Sequence, residues 1–173
     1  MEETQPKIGK FSLNYGLILG VIGVIFGIML YTMDAHTSRD ASNTIINLVI
    51  TAAVITWGIW AFKKANGGFL KLGQAVKLGA GISLIAAIIS LIYLFFLANV
   101  LDPEFITKTA EAAREAAIED GRMSSEQIQQ QYDGTINMFW VFTIPVILIF
   151  SVIIGLVIGL IDGLILKKAK PDY

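Results

Sequence analysis

Cysteine is absent from these 173 residues, which excludes disulfides, thiolate metal sites and cysteine nucleophiles. Histidine occurs once, as His36, in a short segment between hydrophobic runs, without a ligand partner at helical spacing. It reads as a solvated loop side chain. Charge is scarce too: only 16% of residues are Asp, Glu, Lys or Arg, against roughly 25% in ordinary soluble domains. A net charge of −1 gives no basis for nucleic-acid binding. No metalloprotease HExxH, phosphate-binding GxxxxGK[ST], nucleophile-elbow GxSxG or dinucleotide-binding GxGxxG in its strand–helix context occurs. We therefore expect no enzyme, no cofactor and no metal site. Glu111, Glu115, Glu119 and Asp120 read as a solvated helix face, because calcium needs convergent oxygens in a loop. Paired intramembrane carboxylates and arginine runs are missing, which disfavours a proton pump or voltage sensor.

Long apolar runs are what the chain does have. Hydrophobic residues make up 55% and the mean hydropathy is +0.68. Residues 138–166 contain one charged side chain, Asp162, and run straight into Lys167, Lys168 and Lys170. A hydrocarbon core of about 30 Å takes roughly 20 helical residues, so this run spans a bilayer with room to tilt. Within 144–161 only Ser151 is polar, whereas a soluble helix that long needs polar exposed positions. Three more runs, about 13–33, 45–62 and 75–97, complete an all-α integral membrane four-helix bundle. The first follows Lys7 and Lys10, but Met33-Asp34-Ala35-His36 has no small-x-small cleavage site, so it reads as a retained anchor. Phe69, Leu72 and Val76 share a face, which suggests a separate interfacial helix over 69–77. We expect 1–173 to form one membrane domain.

Residues 98–137 differ in character and form an extracytoplasmic helical loop in this reading. Asp102-Pro103 starts a helix that stops at Asp120-Gly121, and Ser124 with Gln127 opens a second short one through Tyr132. Ile106, Ala110, Ala113 and Ala117 give the first helix a thin apolar stripe. Basic residues fix the orientation. The tail, the 62–77 connection and the C-terminus hold nine Lys, whereas the two opposite loops hold Arg39, Lys108, Arg114 and Arg122. Positive loops stay in the cytoplasm, so both termini are expected inside and the loop, with eight of fourteen acidic residues, outside.

Small residues mark the packing seams. Gly16, Gly20, Gly23 and Gly27 recur at 4, 3, 4, and Gly79, Ser83, Ala86 and Ser90 repeat that spacing. Lys63-Lys64-Ala65 and Lys167-Lys168-Ala169 close the second and fourth runs, suggesting two helical hairpins in the same orientation. Gly155, Gly159 and Gly163 add a third ladder. Small residues let backbones approach, which is how helices associate in lipid, although glycines also line some substrate paths. Asp162 is the candidate intramembrane polar site, with Asn14 and Tyr15 as hydrogen-bonding neighbours. A local ion pair with Lys10 or Lys77 is the plainer reading of Asp162. Pro145 lies in the first turns of the last run, where a kink is structural.

Asp102-Pro103-Glu104-Phe105 with Met123-Ser124-Ser125-Glu126-Gln127-Ile128 resembles the Bacteroidota membrane-protein family catalogued as domain of unknown function 4199. Tyr15-Gly16-Leu17-Ile18-Leu19-Gly20 and the 67–79 segment are similar too, so the resemblance covers about 10–167. It implies a four-helix protein of the bacterial inner membrane and carries no assigned activity. The function expected is an accessory or scaffolding subunit of an envelope complex. The alternatives are an oligomeric small-solute transporter or channel, or a membrane partner of lipid-linked glycan or lipid enzymes. Expected partners are the lipid bilayer and a membrane protein or a second copy of the chain.

Overall fold

The computed structural model describes residues 6–37 and 41–169; Arg39 and Lys170 of the charge count lie outside the described residues. Five α-helices follow in order: α1 Ile8–Thr32, α2 Ala41–Ala65, α3 Leu72–Phe96, α4 Phe105–Asp120 and α5 Ser125–Leu166. α1, α2, α3 and α5 are each long and apolar enough to cross a membrane. Their outer surfaces display Val21, Ile25, Val49, Ile92, Val141 and Ile165, all more than half exposed. A surface of that kind is matched to hydrocarbon, not water. The chain is a multi-pass membrane protein.

α3 stands at the centre, packed most extensively on α5 and α1, while α1 and α2 touch far less. Of the two hairpins expected, α3 with α5 packs closely and α1 with α2 only loosely, so the two are not equivalent in packing. A Cβ on Gly16 would lie 2.6 Å from Ile85 Cβ, one on Gly20 2.8 Å from Ile89 Cβ, and one on Gly27 2.6 Å from Tyr93 Cε1. On the other side of α3, Gly79 and Gly155 meet backbone to backbone, and a Cβ on Gly159 would lie 2.7 Å from the Ala75 carbonyl oxygen. Such distances are open only to glycine.

One end of the bundle gathers the start of α1, the end of α2, the start of α3 and the end of α5. Leu70 and Lys168 exchange backbone hydrogen bonds there, both 3.0 Å. This pairing occupies the segment expected to begin an interfacial helix; Leu72 instead starts α3 directly. Ile55, Ile59, Phe62, Leu70, Leu78 and Ile82 form the fully buried core of this terminal half.

At the other end α3 widens into a π turn over Leu97–Leu101 and stops at Asp102, whose φ −139, ψ 84 is the extended geometry forced on a residue before proline. α4 follows and ends at Gly121, left-handed at φ 65. Ser124 then caps α5 through reciprocal bonds with Gln127. The second short loop helix expected here does not end at Tyr132. It runs on to a kink at Met138, φ −121 and ψ 17, beyond which the membrane-crossing part of α5 continues to Leu166. α4 packs on the projecting part of α5 through Phe105, Ala110 and Ala113, and the two make a helical cap.

Candidate functional site

Two polar constellations stand out, one fastening the cap and one within the bundle. The first centres on Asp102, 6% exposed. Its carboxylate accepts from His36 Nε2 at 2.9 Å, from Lys108 Nζ at 2.9 and 3.0 Å, and from the Glu104 backbone N–H at 3.2 Å. A carboxylate bonds only to donors, so Nε2 carries the hydrogen. Phe105 stacks on the His36 ring at 6.0 Å and Tyr31 meets it edge-on at 5.2 Å. The Tyr31 hydroxyl in turn donates to the Leu101 carbonyl at 2.9 Å. The His36 bond, seconded by Lys108, holds the Asp102 carboxyl below the usual aspartate range against the opposing effect of burial. His36 is thus not the solvated loop residue expected from its sequence neighbours; its side chain is 7% exposed. It ties the end of α1 to the end of α3 and the start of α4.

The second constellation lies midway along the bundle, between the terminal-half core and an aromatic cluster near the cap built on Leu97, Ala98 and Phe105. α2 is buried only from Val54 onward. Its cap-side half stands away from α3 and leaves a cavity of about 150 Å³, lined by Asn47, Thr51, Ser83, Ser90 and Ser151 together with Gly23. The sequence places Gly23, Ser83 and Ser90 in packing seams and does not foresee their grouping with Asn47, Thr51 and Ser151 around a cavity. Asn43, Asn47 and Thr51 recur every fourth residue, a legible signal on one helix, but Ser83, Ser90 and Ser151 stand singly in apolar runs.

Asp162 is buried near the terminal end, 8% exposed, and accepts a hydrogen bond from Thr56 Oγ1 at 2.9 Å. Among the described residues no lysine forms an ion pair with it. Asn14 is exposed on α1 and the hydrogen bonds of the described residues do not join it to Asp162. Tyr15 packs against Trp57 at 5.2 Å instead. Of the small-residue seams, Gly16, Gly20 and Gly27 face α3, Gly79 and Ser83 face Gly155, and Gly159 and Gly163 face Ala75. Ala86 is buried, whereas Gly23 and Ser90 border the cavity. Glu111, Glu115 and Glu119 are exposed along α4. Among the described residues no three His, Asp or Glu side chains converge to hold a metal ion.

No curated protein and no solved structure matches this chain. A family model described as a protein of unknown function matches residues 14–168, which takes in α2, α3, α5 and the cap together with α1 from Asn14 onward. The chain belongs to that family, DUF4199.

Proposed function

We propose that this protein is an accessory or scaffolding subunit of a bacterial envelope complex, without catalytic activity of its own, that uses the helical cap as a docking surface. The observation that carries the reading is the Asp102 clamp. A connection between two membrane helices needs only a few residues. Here α4 is held by a buried carboxylate bonded to His36 and Lys108, and it packs on the projecting part of α5, which joins the membrane-crossing part at the Met138 kink. Such fastening fixes the exposed acidic face of α4 relative to the bilayer, as a binding platform requires. The excess of lysine at the terminal end supports placement in the inner (cytoplasmic) membrane with both termini in the cytoplasm.

The test is co-purification in mild detergent from native membranes. Glu111→Lys with Glu115→Lys and Glu119→Lys reverses the exposed face of α4 without touching its buried side. Loss of co-purifying proteins at an unchanged melting temperature is the expected result, and an unchanged set of partners overturns the reading. The polar cavity favours a second reading, an oligomeric small-solute transporter or channel. A third, a membrane partner of lipid-linked glycan or lipid enzymes, draws on the basic terminal end.

A further inference from the structure

We propose that the mid-bundle cavity is a binding site for a neutral amphiphile, with a small hydroxyl- or carbonyl-bearing head in the cavity and its hydrocarbon chain along α1 and α2. The site needs neither transport nor the docking role of the cap, so it stands or falls separately from both.

The head group's chemistry follows from the walls. Asn47 supplies an amide that both donates and accepts, and Thr51, Ser83, Ser90 and Ser151 supply hydroxyls that do the same. Among the described residues no charged side chain lines the space, and Asp162 is not among its walls. A charged head would lie in hydrocarbon without a counter-ion, at a cost of several kcal/mol, so the site selects neutral groups. Ser83 borders the cavity but is 4% exposed, and its hydroxyl, turned against Gly155, has no hydrogen-bond partner among the described residues. Buried hydroxyls are nearly always bonded. A volume of about 150 Å³ takes a group about the size of a benzene ring.

The chain's path follows from the opening. Gly23, Asn47, Thr51 and Ile154 also border a groove of about 500 Å³ between α1 and α2. Phe26, Leu30 and Leu48 give that groove apolar walls, with Asn43 and Thr44 toward the cap. Ile25 and Val49, on the same two helices, are 62% exposed, so the surroundings of the groove are lipid-facing. On the terminal side Ile55, Ile59, Leu78 and Ile82 belong to the buried core. Gly23 fits this arrangement. A Cβ there would meet only Ser90 Oγ, at 3.8 Å, so this glycine keeps the pocket open and does not join helices.

The experiment uses the absence of native cysteine. Ser90→Cys, and Ser151→Cys on a different helix as a second reporter, are placed in the full chain in lipid nanodiscs, with Glu115→Cys as an exposed reference. The rate of modification by methyl methanethiosulfonate is measured with 1-decanol, glycerol or decanoate present. Decanol is expected to slow both cavity thiols about fivefold at roughly four times its Kd, and decanoate to leave them unchanged. Asn47→Leu combined with Thr51→Val should abolish that protection at an unaltered melting temperature. Slowing by glycerol and not by decanol retains the neutral site and assigns its ligand to water instead of lipid. Three results overturn the proposal: no protection by either alcohol, equal protection by decanoate, or protection that survives the double substitution. The first of these describes a cavity that holds water only.

Discussion

Thr56 and Asp162 are 106 residues apart in sequence, yet the threonine hydroxyl donates to the carboxylate at 2.9 Å across the α2–α5 contact. This bond lies near the terminal end, where α2 joins the bundle most closely. A single neutral hydroxyl is a weak partner for a full charge, so the hydrogen bond matters more than the charge. Thr56→Val should cost roughly 1–3 kcal/mol by leaving a buried acceptor unpaired. Asp162→Asn keeps an acceptor for the same bond and should cost less. Thermal melting of the two variants in one detergent decides the order; a greater loss in Asp162→Asn would mean that the charge itself is needed.

The glycine seams predict a graded response. At Gly79 and Gly155 a methyl group would run into the opposite backbone, which cannot rotate away as a side chain can. Gly79→Ala or Gly155→Ala should destabilise by roughly 1–3 kcal/mol through forced separation of α3 and α5. Gly23→Ala should be close to neutral for stability, because open space surrounds it. Equal melting temperatures for Gly79→Ala and Gly23→Ala would show that α3 and α5 do not meet in this register.

The cap clamp should depend on acid in one direction only. Asp102 titrates below its unfolded value of about 3.9, so its bonds to His36 and Lys108 contribute fully above that value. Their contribution is lost as pH falls through the depressed folded value. Glu104 also approaches Lys108, at 3.7 Å, but on an exposed face where water screens it. Protection of α4 backbone amides from hydrogen exchange should therefore weaken below about pH 4. Asp102→Asn should weaken it at neutral pH and flatten the acid dependence. Acid sensitivity that persists in Asp102→Asn would place its origin in other carboxylates.

Much of this architecture is legible in the chain because each membrane helix announces itself locally. The runs at 13–33, 45–62, 75–97 and 138–166 all lie within observed helices apart from their terminal residues Met33 and Leu97, and Ser124–Gln127 marks a true helix start. What hydropathy cannot report is which helices touch. His36 and Asp102, 66 residues apart, look like a loop residue and a helix cap until the ends of α1 and α3 are brought together. The cavity is hidden for the same reason, since its hydroxyls come one or two from each helix. The change from polar to apolar composition at Met138 marks a true boundary, because α5 kinks at that residue; what the sequence hides is that the short helix opened by Ser124 runs past Tyr132 to reach it.

Orientation is the remaining prediction, and the missing cysteines make it direct. The Leu70–Lys168 pairing joins the 66–71 connection to the end of α5, so both sample one side of the membrane. The clamp joins the end of α1 to α4 on the other side. Lys64 and Glu115 are each exposed, one on either side. The lysine-rich side should face the cytoplasm, where the negative surface of the inner leaflet also favours it. In cells made permeable at the outer membrane only, an impermeant maleimide should label Glu115→Cys and spare Lys64→Cys until the inner membrane is opened. Labelling of Lys64→Cys alone would invert the orientation and place the cap in the cytoplasm. Labelling of both in intact inner membranes would show that the chain inserts in two orientations, as its small net charge bias of nine basic residues against four would then have failed to prevent.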